Sequence, residues 1–235
     1  MNQDDIKEIF NKRSNKLKDH DPWRYGESLS LKTDLIEIEW IRNNCKYKKA
    51  LLDIGCGTGR HVIELSGDFD EILAADFAQG NINVLNTKIA EMNICNIQTV
   101  VSSAQDITLQ AERRKFDIII GIGLVQYLNN DEFFSFFEDC HSLLNNHGRL
   151  LLKIPMSETE TFSFDGYSEL LESEYFSFYR NINDIFKGFY KWFSLYKLER
   201  VFTLENLGKE LWIIENHDNS KQIWFLLVKK ETEEL

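Results

Sequence analysis

The chain has 235 residues, 43% of them hydrophobic and 28% charged, a composition that gives a globular protein enough apolar mass for one large core. Its 38 acidic residues outnumber 27 basic ones, and the resulting charge of −11 works against a surface that tracks the phosphates of DNA or RNA. Four scattered cysteines without a CxxC pair suit reduced thiols in a cytoplasm, and five histidines without ligand spacing predict no metal site.

The first twenty residues are too charged for a secretory signal, and the longest apolar run, 116–128, is too short and glycine-broken to span a bilayer. Segment 1–20 reads as a polar helix with a thin apolar stripe of Ile6, Ile9, Phe10 and Leu17. Its basic run, 11–18, is a solvated face. Segment 21–31, D-P-W-R-Y-G-E-S-L-S-L, is an irregular turn whose side chains can pack on a ligand. Helical periodicity resumes over 32–44 with Leu35, Ile36, Ile38, Trp40 and Ile41.

Alternation follows. Strands are predicted at 49–54, 71–76, 97–102, 116–122 and 148–154, with helices between them at 58–66, 79–92, 106–114 and 131–144. The strands are apolar on both faces, as strands covered by helices on both sides must be. The pattern is that of an α/β protein with a doubly wound, mostly parallel sheet and right-handed crossovers. Ligands of such sheets bind outside the carboxyl ends of the strands. After Pro155 the rhythm changes: 156–196 is dense in aromatic residues, Tyr179 among them, and reads as an insertion. A helix over 184–193, capped by Asn183 or Asp184, and an antiparallel hairpin of strands 195–203 and 222–229 complete the chain.

The stretch 51–60 reads L-L-D-I-G-C-G-T-G-R, three glycines directly behind a strand. A phosphate-cradling P-loop would end in G-K-[ST], but Arg60 and His61 follow Gly59. A dinucleotide loop would need a small residue three past Gly57, where Arg60 stands. What remains is G-x-G-x-G preceded by Asp53, an acid suited to a cation and poorly matched to a pyrophosphate. The next strand ends at Asp76, where a carboxylate can accept two hydrogen bonds from a ribose diol. A positively charged nucleoside with an amino-acid tail and no phosphate is S-adenosylmethionine.

These residues, with A-A-D-F at 74–77, resemble the first two motifs of class I S-adenosylmethionine-dependent methyltransferases, over about 45–155 well and elsewhere in outline. The resemblance implies a seven-stranded Rossmann-like sheet, S-adenosylmethionine as cofactor, and a lid made by the aromatic insertion. It implies that Gly55, Cys56, Gly57 and Gly59 line the methionine and ribose, that Asp53 lies near the methionine amine, that Asp76 holds the ribose, and that Phe77 packs on adenine. In the third motif, V-V-S-S-A-Q-D-I, Ser103 stands where the family has an acid, so the adenine contact falls to backbone at Ala104 and Gln105. Gly121, Ile122 and Gly123 in F-D-I-I-I-G-I-G-L-V-Q-Y-L leave room for donor and acceptor to meet. Neither an Asn-Pro-Pro-Tyr motif nor a cysteine occurs in that segment, which disfavours methylation of planar amino groups and of pyrimidine C5.

Segment 21–26, D-P-W-R-Y-G, resembles the start of some small-molecule methyltransferases, including nodulation-type N-methyltransferases, in which an aromatic residue closes over the donor. Tyr25 is the corresponding residue here. The expectation is one cytoplasmic domain over 1–235: N-terminal helices and a donor-covering segment (1–44), a cofactor-binding core (45–155), the lid (156–196) and terminal strands (197–235). It transfers methyl to an oxygen or nitrogen of a small molecule, with no DNA or membrane partner and RNA disfavoured. Methylation of protein or RNA, or a non-catalytic S-adenosylmethionine-binding regulator, are the alternatives. No dedicated catalytic base stands out; His20 and Tyr127 are candidates, and Tyr179 and Arg180 on the lid are candidates to grip the acceptor. Arg60 and His61 are expected at the surface, Asp117 and His141 in structural roles, and Gly148 in a left-handed turn.

Overall fold

The apolar stretches behind 49, 71, 97, 116 and 144 form the parallel half of a sheet in a computed structural model that describes residues 3–16, 27–168, 173–200 and 220–231. They are β1 (Ala50–Ile54), β2 (Glu71–Asp76), β3 (Ile97–Val101), β4 (Phe116–Ile122) and β5 (Leu144–Ser157), in the order β3-β2-β1-β4-β5. All four pairings within that set are parallel. The order reverses between β1 and β4, which makes the tips of those strands the ligand-binding end. The terminal hairpin, β8 (Phe193–Glu199) and β9 (Ser220–Lys229), extends the sheet when β9 enters antiparallel beside β5.

Period-two alternation sorts the strand residues onto two apolar faces. Leu52, Ile54, Ile119, Leu150, Leu152 and Phe225 pack against α6 (Asn130–Leu143) and α7 (Ile182–Phe189). Leu51, Ile118, Ile120, Leu151, Trp224 and Leu226 face α2 (Glu27–Asn44), α3 (Arg60–Leu65) and α4 (Gln79–Glu91). Helix α6 begins in a capping box: Asn129 Oδ1 accepts from Glu132 N (3.0 Å) while Glu132 Oε2 accepts from Asn129 N (2.8 Å). The helix then buries Phe133, Phe136 and Phe137 on one side, each contributing about 1.5–3 kcal/mol by its burial.

Several boundaries and roles differ from the sequence-based expectation. The aromatic segment, expected as a lid insertion with one helix, forms ahead of that helix a β-hairpin, β6 (Phe162–Ser168) and β7 (Ser173–Asn181), whose β7 joins the end of β5 through Met156↔Arg180 and Ser157↔Asn181. The described sheet therefore has nine strands: the expected seven and this hairpin. Helix α7 starts earlier than expected because its cap is Asn181, whose Oδ1 accepts from Asp184 N. Helix α2 likewise starts earlier, and α5 (Ile107–Gln110) is only one turn long. The left-handed residue in the turn before 148 is His147 (φ 64°), not Gly148; a side chain at 148 would meet the Asn145 carbonyl instead. Asp117 is structural as expected, its carboxylate accepting from Lys49 N, Ala50 N and Asn145 Nδ2 at the amino-terminal end of the sheet. Part of the terminal strand expected at 195–203 lies outside the described residues, as does Leu17.

Candidate functional site

The chain leaves β1 at Ile54 and turns through three left-handed glycines, Gly55, Gly57 and Gly59, with φ of 79°, 55° and 86°. Only glycine holds that backbone without strain. The three differ in what lies beside them. A Cβ at Gly59 would stand 2.2 Å from Leu85 Cδ1, so Gly59 lets α3 and α4 close on each other. One at Gly55 would meet Leu124 at 3.2 Å, whereas the space beside Gly57 is open. Gly57 is thus the bare backbone against which a ligand can lie. Cys56 between them is buried and its thiol is pushed well up by burial, so the residue presents backbone rather than thiolate.

Asp76, at the tip of β2, is joined to that loop. Its Oδ2 accepts from Gly57 N (2.9 Å), and its Oδ1 accepts from Ala78 N (2.8 Å) and Asn81 Nδ2 (3.1 Å). Burial nevertheless raises its pKa, the three donors only partly offsetting that effect. Asp53 stands at the tip of neighbouring β1, paired in register with Ala74, and the Asp76 charge reaches it. Its Oδ2 is buried with no hydrogen-bond partner among the described residues. Burial first, then Asp76, push the Asp53 pKa up to about 8, against the pull of Arg60. The two carboxylates lie on adjacent strand tips, close enough for their charges to interact, and a cation beside Asp53 would satisfy its unpartnered oxygen.

That shift sets a pH signature. A carboxyl whose folded pKa of about 8 exceeds its ordinary 3.8 costs the folded state increasingly as pH rises from about 4 to 8, and no further above that. Asp53→Asn should therefore gain thermal stability over wild type between pH 5 and pH 8 in paired melting curves, while losing affinity for a cationic ligand. A pH-independent difference between the two proteins would refute the assignment.

The residues expected around the other parts of a donor are distributed as follows. Phe77 is half-buried and its ring meets Phe10 of α1 (Gln3–Lys16) at 5.7 Å. Helix α1 is anchored there by Asn11, whose Oδ1 accepts from Gly80 N (2.9 Å). Ala104 is buried and Gln105 exposed, after a turn in which Ser103 Oγ donates to Asp106 Oδ2 (2.7 Å), so a carboxylate does stand near the third strand tip. Gly121 admits no side chain because Leu152 lies at 2.9 Å from its Cβ position, and Ile122 beyond it is half-buried. The 3-10 turn Val125–Tyr127 follows, Leu124 covering Gly55 and Tyr127 meeting Phe10 edge-on at 5.4 Å. His20 and Tyr25 lie outside the described residues.

Three expectations are corrected. Arg180 is not an exposed grip: it is 3% exposed, and its guanidinium donates from Nη1 to the Val125 carbonyl and from Nη2 to Leu128 O and Asn130 Oδ1. It is sandwiched by Phe133 and Phe178 at 4.1 and 4.6 Å, and burial pushes its pKa down to about 10. Its task is to hold the turn that carries Tyr127. Tyr179 is buried as well, its ring stacked on Phe162 at 4.8 Å. Arg60 and His61 are not surface residues. Both face Glu37, which no solvent reaches; Glu37 Oε2 accepts from Arg60 Nη2 (3.0 Å) and lies 2.9 Å from His61 Nε2, and Lys153 Nζ donates to Oε1. Arg60 also pairs with Asp34, whose pKa burial raises to about 6. Burial would push Glu37 up, yet Lys153, Arg60 and His61 together hold it well below the ordinary range. His61 is kept neutral, its pKa lowered to about 4 by burial and by Arg60. An acid between Ile36 and Ile38 on an apolar helix face was the signal for this network.

The larger of the described cavities, about 460 Å³, lies at the opposite end of the sheet against Asp70, Cys95 and Arg114, away from the strand tips. A family described as a methyltransferase domain matches residues 51–148. Among curated relatives, a tRNA/tmRNA (uracil-C(5))-methyltransferase of Shewanella denitrificans is 31% identical over 104 residues, 43% of this chain and 28% of the relative. One of Pseudoalteromonas translucida is 29% identical over 98 residues, 41% of this chain and 27% of its own length. The chain thus spans under a third of the curated relatives it matches. The fold is that of a phosphoethanolamine N-methyltransferase of Haemonchus contortus (TM-score 0.70, 19% identity, 98% of this chain and 50% of that one). It is equally that of the N-methyltransferase NodS of Bradyrhizobium japonicum (0.67, 10%, 95% and 98%) and of magnesium protoporphyrin IX methyltransferase of Synechocystis (0.64, 15%, 96% and 95%).

Proposed function

We propose that this chain, which matches a methyltransferase domain over residues 51–148 and shares the fold of S-adenosylmethionine-dependent methyltransferases, transfers the methyl group of S-adenosylmethionine to an oxygen or nitrogen of a small molecule. The observation that carries the cofactor side is the pair Asp53 and Asp76 on adjacent strand tips, the first with an unpartnered buried carboxylate oxygen and the second bonded to Gly57, whose side is open. In this reading Asp53 faces the methionine amine, Asp76 the ribose hydroxyls, Phe77 the adenine face, and Ala104 and Gln105 the adenine edge. Gly55, Cys56, Gly57 and Gly59 form the wall, and Gly121 and Ile122 the gap towards the acceptor. The whole of 1–235 acts as one domain in the cytoplasm.

Bound S-adenosylmethionine supplies a carbon already activated for in-line displacement. The protein's part is alignment and exclusion of water, which lower such barriers by about 7–11 kcal/mol. Helix α1 and hairpin β6–β7, which meet over Tyr127, supply the cover. A small acceptor is supported by similarity over nearly the full length of NodS and of magnesium protoporphyrin IX methyltransferase. The tRNA-modifying relatives are matched over a fraction of their length, the segment 116–128 holds no cysteine, and the charge of −11 repels RNA.

Calorimetry with S-adenosylmethionine and S-adenosylhomocysteine, followed by detection of S-adenosylhomocysteine formed over a metabolite pool or over tRNA, tests this reading. Turnover with small metabolites is expected. Turnover with tRNA alone would replace it.

A further inference from the structure

We propose that the methyl acceptor is an amine, held in an aromatic slot built by Phe10, Tyr127 and Tyr175; the proposal rests on the small-molecule reading above and narrows it. Tyr127 is the centre of the slot. Its ring meets Phe10 of α1 edge-on at 5.4 Å and Tyr175 of β7 edge-on at 6.3 Å. The three rings enclose a cavity of about 10 Å³, completed by Ile6, Ile9 and Phe176, with exposed Glu174 on its rim. That volume holds at most one water, so the slot admits an acceptor only when α1 shifts. It adjoins the proposed donor site: Leu124, three residues before Tyr127, covers Gly55, and Phe10 touches Phe77 next to Asp76.

Two considerations select an amine over a hydroxyl. Aromatic faces attract cations, and when an amine is methylated the positive charge leaving sulfur settles on nitrogen, inside the rings. The amine, drawn in as a cation, first sheds a proton to water; its freed lone pair then forms the N–C bond as the C–S bond breaks, the bonding pair goes to sulfur, and the positive charge returns to nitrogen. No strong base is required for that sequence, whereas a hydroxyl would need one. Among the described residues lining the slot the ionisable side chains are Tyr127, Tyr175 and the rim carboxylate of Glu174. The acidic chain adds a field that draws cations in.

The test uses the full chain saturated with S-adenosylhomocysteine, whose own binding is measured first. Choline and its uncharged isostere 3,3-dimethylbutan-1-ol are then titrated by calorimetry. Choline should bind at least 10-fold more tightly, about 1.4 kcal/mol of cation–ring attraction. Tyr175→Leu, and separately Phe10→Leu, should each remove most of that preference while S-adenosylhomocysteine still binds, which certifies the fold of both variants. Equal binding of the two probes, or a preference unchanged in both variants, overturns the slot. In parallel, pools of primary and secondary amines and of alcohols are offered with S-adenosylmethionine. Product from the amines supports the proposal; product from the alcohols alone overturns it and leaves the methyltransferase reading intact. If S-adenosylhomocysteine itself does not bind, it is that reading which fails.

Discussion

Asp76→Ala should lower affinity for S-adenosylhomocysteine by about 100-fold or more, because in the proposed site it removes a charged acceptor from two ribose hydroxyls, each such bond being worth about 1.5–3 kcal/mol. The loss has a second source within the protein. The same carboxylate ties Gly57 N, Ala78 N and Asn81 Nδ2 together, so its removal leaves three donors facing a void and frees the glycine loop from β2. Asp76→Asn keeps the shape and supplies one acceptor where two are used, and is expected to fall between alanine and wild type. Titration calorimetry decides the matter: an alanine variant that binds within three-fold of wild type would mean that the loop and Asp76 do not form the nucleoside site.

The largest stability effect is expected at Glu37. Its carboxylate is fully buried and faces Arg60, His61 and Lys153, drawn from α3 and from the end of β5 onto α2. Removing one member of a buried charge cluster leaves the others facing a low-dielectric interior, and such losses run to about 3–5 kcal/mol. Glu37→Ala should accordingly melt about 10 °C below wild type. Glu37→Leu combined with Lys153→Met should recover a large part of that loss, since apolar groups of similar size avoid the desolvation that the ion pair must offset. If the double variant is no more stable than Glu37→Leu, the network is not the cause. Because Arg60 opens α3 directly behind Gly59, the cluster also fixes the angle at which the glycine loop leaves the sheet.

The alternation of strands and helices was readable because it is a local property: apolar runs such as 116–122 and helical stripes such as that of α6 are written in consecutive residues. So was the pairing of a glycine loop with two acids, since the parallel order of β1 and β2 brings successive strand tips together. The hairpin β6–β7 was not readable. Its aromatic density fits core, helix or strand alike, and its strand character arises only from β7 pairing with the end of β5. Arg180 misled for a similar reason: an arginine after a tyrosine looks exposed until folding brings two carbonyls and two phenyl rings around it.

By itself, then, the order of residues determined the α/β alternation, the left-handed glycine turn and the acids at the strand tips, all of which follow from periodicity and backbone sterics within short windows. Only the tertiary structure decided which glycine stays open, that Phe10 reaches Phe77 and Tyr127, and that Glu37 gathers three donors. Those facts depend on contacts between segments distant along the chain, where the burial that shifts a pKa or orphans an oxygen exists only once the helices have closed on the sheet.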